Sequence, residues 1–381
     1  MFLDLGEQPW CNNFVTKDKL DTVKKYPLRA CFCEDCTTVQ IDYTVPKEEM
    51  YLNHTYLSGT TSTMQRHFES AARTAMSVSG NTGLIVDIGS NDGTLLETFR
   101  GSNRTLLGVE PCQQVGEIAI SKGINTLTRF FDYECADDIV AKYGRATIIS
   151  AANVFYHVEN IHEITRGVKH LLDKQGVFVV HGSYLPKVME RKAFDIIYHE
   201  HLLYYRIQTL QNLLSMYDLE VFDVYFSDVH GGSFVAFATH AGERNVSMSV
   251  HDIYKNERDS GFDLFEKYAE FGENVEMLRG SIKQVLSDLY RCSIYAYGSP
   301  AKGTVMLNYC GIDSSIIPLA VEKNQLKFGK YVPCVNIPIV DEQSVTPPDY
   351  YFLLSWNFIN EIIKNNKSKF ILPIPTPIIT C

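Results

Sequence analysis

No part of the 381-residue chain holds enough consecutive apolar residues to cross a bilayer, and the opening MFLDLGEQPW lacks the basic start and apolar run of a signal peptide. These absences predict a cytoplasmic protein with no membrane partner. Positive charge is also scarce. Lys and Arg total 35 against 45 Asp and Glu, a net charge of -10, which argues against nucleic acid as a partner and leaves room for a compact anion bound locally. There is no low-complexity tract and no internal repeat. In a reducing compartment the 10 cysteines stay as thiols, so close spacings suggest metal ligands before disulfides. Only Cys11, Cys31, Cys33 and Cys36 cluster; Cys112, Cys135, Cys292, Cys310, Cys334 and Cys381 are scattered.

What is present is a core-forming composition, 45% hydrophobic and 21% charged, enough for two or three domains. MQRHFESAARTAMSVS (64–79) has the apolar spacing of an amphipathic helix. After it, short apolar runs at 83–89, 105–110, 146–151 and 176–182 alternate with helical stretches, the pattern of a parallel sheet flanked by helices. Runs at 219–228 and 232–240 are joined by VHGG, whose glycines permit a tight hairpin. A parallel sheet finished by such a hairpin is the usual plan of methyltransferases that use S-adenosylmethionine. The fold class expected is α/β: a Rossmann-like methyltransferase domain with its C-terminal antiparallel hairpin, a small N-terminal cysteine-bearing region, and a second α/β domain at the C-terminus. The divisions fall at residues 1–62, 63–245, a helical connector at 246–291, and 292–381.

VDIGSNDGTLLETF (86–99) reads as a strand, a glycine-bearing turn and a helix. Gly89 and Gly93 let backbone approach a ligand, while Asp87 and Asp92 offer acceptors for an amino-acid ammonium or ordered water. A dinucleotide fingerprint wants a glycine where Asn91 stands, and its absence favours a ligand without a pyrophosphate. Glu110, at the end of the next apparent strand, sits where a carboxylate accepts ribose hydroxyls. The aromatics of RFFDY (129–133), Phe131 among them, suit packing on adenine. SAANVFYHV (150–158), with Asn153, follows the fourth strand, where the cofactor's methyl is expected. An ordinary strand-to-helix turn explains Gly89 alone; Glu110 in register makes the cofactor reading the stronger one.

With YLSGTTSTMQRHF (56–68), VDIGSNDGTLL (86–96), NVFYHV (153–158), FDIIYHEHLLYY (194–205), HGGS (230–233) and YGSPAKGTVMLNYCGID (297–313), the chain resembles the sugar C-methyltransferases, which methylate C3 of nucleotide-linked 4-keto deoxysugars. The resemblance implies a zinc-binding N-terminal region, a central S-adenosylmethionine domain and a C-terminal domain that helps bind the nucleotide sugar. It places Tyr198, Glu200 and His201 at the active site and brings His157 and Tyr56 to the reacting sugar, with Tyr51 near enough in sequence to compete for the Tyr56 position. It also suggests that His230 or Ser233 approaches substrate, although a hairpin turn explains the HGGS glycines equally well.

The residue types suit that chemistry. A ketone makes the neighbouring carbon acidic, a neutral imidazole near pH 7 can take its proton, and Tyr or His donors can stabilise the resulting oxyanion. Glu200 either orients His201 or holds a sugar hydroxyl. In YGSPAKG the strand-to-helix turn presents backbone N–H groups to an anion, making Tyr297, Ser299 and Lys302 candidates for the diphosphate. A tight turn with a solvated lysine is the plainer alternative. For zinc, only Cys33 and Cys36 match the family's paired cysteines, with Cys31 and Cys11 as conceivable substitutes, whereas a structural site needs four ligands; zinc is left open. Rival readings are an O- or N-methyltransferase and a catalytically silent sugar-nucleotide binding protein.

Overall fold

Parallel strands buried on both faces form the middle of the molecule. In the computed structural model, residues 1–52, 57–60, 62–366 and 368–380 are described. The central seven-stranded sheet runs Leu219–Ser227, Ser233–His240, Leu172–Ser183, Ala146–Ala152, Gly83–Ile88, Arg104–Val109 and Asn125–Leu127. Its last five strands are parallel, and the first two form an antiparallel hairpin added at one edge. Adjacent residues such as Ile85 and Val86 are both fully buried, because helices cover both faces and remove the need for polar alternation. The Ser62–Val78 helix is one of these covers. Its Met64, Phe68, Ala71, Ala72 and Ala75 share a core with Ile85, Ile148, Val177, Val179 and Phe237. Truncating a buried ring such as Phe68 to Ala would cost about 3–5 kcal/mol.

A second seven-stranded sheet lies in the C-terminal part, in the order Tyr331–Val332, Ile337–Asp341, Ala320–Glu322, Ile294–Tyr297, Tyr350–Leu353, Phe370–Leu372 and Ile378–Thr380. It too is parallel in the middle with antiparallel edges. The two sheets are thus a repeat of plan, hidden because strands specify backbone pairing and tolerate different apolar residues. Between them stand the Met248–Asp259 and Phe265–Asp288 helices, separated at a left-handed Gly261. The first is stitched to the central part through Glu257, which accepts N–H bonds from Ile207 (2.8 Å) and Gln208 (3.0 Å) and the Tyr184 hydroxyl at 2.9 Å.

The N-terminal part is a four-stranded antiparallel sheet: Leu3–Pro9, Lys25–Phe32, Val39–Ile41 and Leu203–Tyr204. Its fourth strand comes from far along the chain, directly after the YHEH segment. His199 reinforces the join, donating through Nε2 to the Pro27 carbonyl at 3.2 Å. Among the described residues no helix is long and apolar enough to cross a membrane.

Candidate active site

At the C-terminal end of the Gly83–Ile88 strand the backbone turns through three left-handed residues, Gly89 (φ 67°), Asn91 (φ 52°) and Gly93 (φ 78°). Gly89 cannot carry a side chain, since a Cβ there would lie 2.8 Å from Val154. Glu110 reaches this turn from the neighbouring strand and accepts N–H bonds from Asn91 at 3.0 Å and Cys112 at 2.8 Å. Asp87 lies buried beside it, bonded by Ser150 at 2.6 Å. Burial first, and then the nearby Glu110 charge, push the Asp87 carboxyl up to about 7 despite the Ser150 bond. Two buried carboxylates at a strongly turned loop fit a ligand with a cationic amino-acid end and a ribose. Asp87 and Glu110 are therefore the residues that can hold S-adenosylmethionine.

Three residues assigned to that ligand from sequence also have tasks within the fold. Asp92 accepts the Thr94 hydroxyl at 2.7 Å and pairs with Lys122 at 3.4 Å, so it braces the turn before the Thr94–Glu97 helix. Gly93 is required by its positive φ and by Ile124, which a Cβ would meet at 2.6 Å. Phe131 is a core residue whose ring covers Gly167 of the Ile161–Leu171 helix; the partly exposed ring next to it is Phe130, under Lys47 at 4.6 Å. Asn153 lies just past the Ala146–Ala152 strand in a left-handed conformation (φ 56°) and accepts the Tyr156 hydroxyl at 3.1 Å.

The YHEH segment is a turn that follows the Phe194–Ile196 3-10 helix. His201 Nδ1 lies 2.8 Å from the Ile196 carbonyl. A carbonyl only accepts, so Nδ1 carries the proton and Nε2 keeps its lone pair. The ring is enclosed by Tyr198 at 3.8 Å, Tyr156 at 4.8 Å and a stacked His157 at 5.0 Å between centroids. Burial, then the neighbouring His157 and His230 imidazoles, hold His201 well below the usual histidine range, so it is neutral at pH 7. A buried, oriented imidazole with a free-base nitrogen is equipped to abstract a proton.

The Ile196 carbonyl orients that ring. Glu200 Oε1 accepts from Trp10 Nε1 at 2.6 Å and Asn12 Nδ2 at 2.7 Å, with the Cys11 thiol at 3.7 Å. Sequence reasoning missed Trp10 and Asn12, for which an indole and an amide close to a cysteine were the available signal. It also left Tyr51 as the weaker rival of Tyr56. Tyr51 donates to the Glu200 carbonyl at 3.2 Å and stacks parallel to His157 at 6.0 Å, while Tyr56 lies outside the described residues.

The candidates for substrate contact divide. His230 sits at a left-handed turn position (φ 55°) with Nε2 3.5 Å from Asn153 Nδ2. Ser233 closes the same hairpin by donating to the Val229 carbonyl at 2.8 Å, so the hairpin alone accounts for its hydroxyl. Tyr297 packs on Tyr351 and Phe370 inside the C-terminal sheet and donates to Glu342 at 3.2 Å. Ser299 gives both its N–H (2.9 Å) and its hydroxyl (2.7 Å) to Glu322. The backbone donor expected to bind phosphate is therefore already taken by a carboxylate. Lys302 is half-buried, bonds Asn357, and lies 4.0 Å over the Trp356 ring. Burial lowers it to about 8, opposed by Asp195; Asp195 itself accepts from Trp356 Nε1 at 2.7 Å. These contacts tie the C-terminal part to the turn that carries His201.

Cys33 and Cys36 share a tight turn closed by bonds from Thr37 N to Cys33 O (2.8 Å) and from Cys33 N to Thr38 O (3.0 Å). Cys11 lies elsewhere, buried under Glu200, so it cannot complete a metal site with them. Among the described residues no group of three or more His, Cys, Asp or Glu is placed to hold a metal ion. The donor set on hand does not fit a closed structural zinc site.

The sheet order, the Gly89 turn and the acidic pair define the class: the chain is an S-adenosylmethionine-dependent methyltransferase. Residues 64–224 match the family model of a methyltransferase domain, residues 1–51 that of a zinc binding domain, and residues 228–375 that of a C-methyltransferase C-terminal domain. The C-methyltransferase NovU of Streptomyces niveus is 30% identical over 389 residues, spanning 98% of this chain and 93% of that protein. The chain belongs to the C-methyltransferase family. Among solved structures it is similar over 47% of its length to 90% of the CcbJ methyltransferase of Streptomyces caelestis, at 12% identity and TM-score 0.36. It is also similar over 46% of its length to 79% of the magnesium protoporphyrin IX methyltransferase of Synechocystis with bound S-adenosylmethionine, at 11% identity and TM-score 0.35.

Proposed function

We propose that the chain methylates C3 of a nucleotide-linked 4-keto deoxysugar, with His201 as the base. The observation that carries this reading is the His201 tautomer, set by the Ile196 carbonyl at 2.8 Å, which leaves Nε2 as a neutral proton acceptor among Tyr198, Tyr156 and His157. Carbon must become nucleophilic before it is methylated. His201 takes the proton next to the ketone, the C–H electron pair moves into the carbonyl, and Tyr198 and His157 supply donors for the oxygen that gains charge. S-adenosylmethionine, when bound at Asp87 and Glu110, supplies the electrophilic methyl. Glu200, held by Trp10 and Asn12, orients the turn or a sugar hydroxyl, and Lys302 adds a cation on the His230 side for the diphosphate.

The test is incubation with labelled S-adenosylmethionine and a panel of nucleoside diphosphate-linked 4-keto-6-deoxysugars, followed by mass spectrometry and NMR of the product. One added methyl and a new singlet on a quaternary C3 is the expected result. A ketone at C4 acidifies C5 as well, so a methyl at C5 would keep the mechanism and overturn the position. A methoxy or N-methyl signal would overturn the mechanism.

A further inference from the structure

Beside the base lies a second group of imidazoles that proton abstraction does not use. His181 ends the parallel run of the Leu172–Ser183 strand, opposite Ala152 on one side and Val235 on the other. Its ring is 4.3 Å from that of His67, on the Ser62–Val78 helix, and 6.3 Å from that of His230, on the hairpin turn. Both rings are more than nine-tenths buried, with His181 2% exposed and His67 7% exposed. Neither ring nitrogen of His181 has a hydrogen-bond partner among the described residues, and neither does Nε2 of His67. Leaving such groups unpaired costs about 1–3 kcal/mol each, so a partner from outside the chain is called for.

Asn153 orients the third imidazole. The Tyr156 hydroxyl binds its Oδ1 at 3.1 Å, which turns Nδ2 toward His230 Nε2 at 3.5 Å. His230 therefore accepts at Nε2 and keeps its proton on Nδ1. Burial lowers His67 and His230 to about 4 and His181 well below the usual range, so at neutral pH the cluster carries no charge. A phosphate or carboxylate would meet lone pairs as often as donors at His67 and His181, since the nearby cation, Lys302, acts on the His230 side alone and is held there by Asn357 and Trp356. A hydroxyl, itself donor and acceptor, matches neutral imidazoles at both ends.

We propose that His67, His181 and His230, with Asn153, form an uncharged pocket that binds a hydroxyl of the sugar ring and so selects the substrate. The cluster stands at the C-terminal ends of the strands, where ligands bind in sheets of this kind, and Asn153 is four residues from His157. The inference rests on the sugar reading above. On a 4-keto-6-deoxyhexose that reacts at C3, the ring hydroxyl not borne by the reacting carbon is the one on the adjoining C2, and the pocket is assigned to it.

The experiment compares kcat/KM for two nucleoside diphosphate-linked 4-keto-6-deoxysugars, one with a C2 hydroxyl and one without. Wild type should favour the hydroxylated sugar, and His181→Phe should shrink that preference by roughly 10- to 100-fold through its loss on the hydroxylated sugar alone. His181→Gln, which keeps a donor and an acceptor, should recover part of it. Unchanged S-adenosylmethionine affinity by calorimetry shows that each variant is folded; should His181→Phe fail that check, His67→Phe carries the same test. If wild type turns over both sugars without preference, or the Phe variants keep its preference, the pocket assignment is overturned while the proposed function stands. If wild type methylates neither sugar, the proposed function fails and the pocket's ligand with it.

Discussion

The two seven-stranded sheets turn the same corner in the same way and use it differently. After Gly83–Ile88 the chain passes through Gly89, whose N–H binds the Val109 carbonyl at 2.8 Å; after Ile294–Tyr297 it passes through Gly298, whose N–H binds the Val321 carbonyl at 2.8 Å. Each glycine has a positive φ, 67° and 79°. In each case the next residue on the neighbouring strand is a glutamate, Glu110 or Glu322, that accepts N–H groups of the turn. The difference lies in what surrounds the carboxylate. Glu322 takes the Ser299 N–H and hydroxyl and the N–H groups of Lys323 (2.8 Å) and Asn324 (3.1 Å). Burial raises its carboxyl, but Lys327 and these bonds outweigh burial and leave it below its usual value. Two residues before the glycine, the central sheet has Asp87 and the C-terminal sheet a fully buried Ala296. Both glutamates accept backbone N–H groups of their own turns, and the central corner differs in carrying a second buried carboxyl, Asp87, raised to about 7.

The largest effect should come from the segment wedged between the two parts. His201→Asn should slow turnover by roughly 10²- to 10⁴-fold, the range for losing a general base, while S-adenosylmethionine affinity measured by calorimetry stays near wild type. The wild-type pH profile sharpens the point. His201 lies below the usual histidine range, so its neutral, active form persists on acidification and the acid limb of kcat/KM should fall at a pH below roughly 6.5. An acid limb above that value would mean a different base, with His157 next in line.

The paired glutamates test the comparison directly. Glu110→Ala should weaken S-adenosylmethionine binding by about 10- to 100-fold, since a charged acceptor is worth about 1.5–3 kcal/mol. Glu322→Ala should leave that affinity unchanged and instead destabilise the fold by about 2–4 kcal/mol in urea denaturation, because several backbone donors lose their acceptor. Equal effects of the two variants on cofactor affinity would break the distinction between an open and a closed corner.

A smaller effect is expected at the N-terminal contact. Trp10→Phe keeps the ring and removes the N–H that binds Glu200 at 2.6 Å; kcat should fall by about tenfold, one bond to a charged group, with cofactor affinity retained. An unchanged kcat would make this contact scaffolding only.

The smallest effect is a pH-dependent stability difference at Asp87. Its folded carboxyl sits at about 7 against 3.8 for an ordinary aspartate. The cost of ionising it in the fold is absent below about pH 4, grows as pH rises, and is complete above about pH 7. Asp87→Asn should therefore melt at the same temperature as wild type in acid and about 5 °C higher at pH 8 without cofactor, the scale expected for a chain this long. The reverse trend in thermal melts would show that Asp87 is stabilised as an anion.

Much of this molecule was legible because the signals are local. Apolar runs of strand length, the amphipathic Ser62–Val78 helix and the VHGG turn follow from side-chain periodicity and glycine conformation. Glu110 was singled out as a candidate because the distance from a glycine turn to the end of the next strand is nearly constant in this architecture. Asp92, Phe131, Ser233, Tyr297 and Ser299 were read as ligand contacts because a residue type announces what it can bond, not what it does bond. Their partners, Lys122, Gly167, Val229, Glu342 and Glu322, were brought to them by the fold.

By itself, then, the order of residues determined the α/β plan and singled out the glycine corner and the YHEH segment as candidates, since each depends on neighbours within a few turns of chain. Only the tertiary structure decided which nitrogen of His201 carries the proton, that Glu200 answers to Trp10 and Asn12 across about 190 positions, that Ser299 gives its N–H and hydroxyl to Glu322, and that His67, His181 and His230 meet. Hydrogen bonds and ring contacts act over a few ångströms of space, and separation along the chain says nothing about them until the sheets have formed.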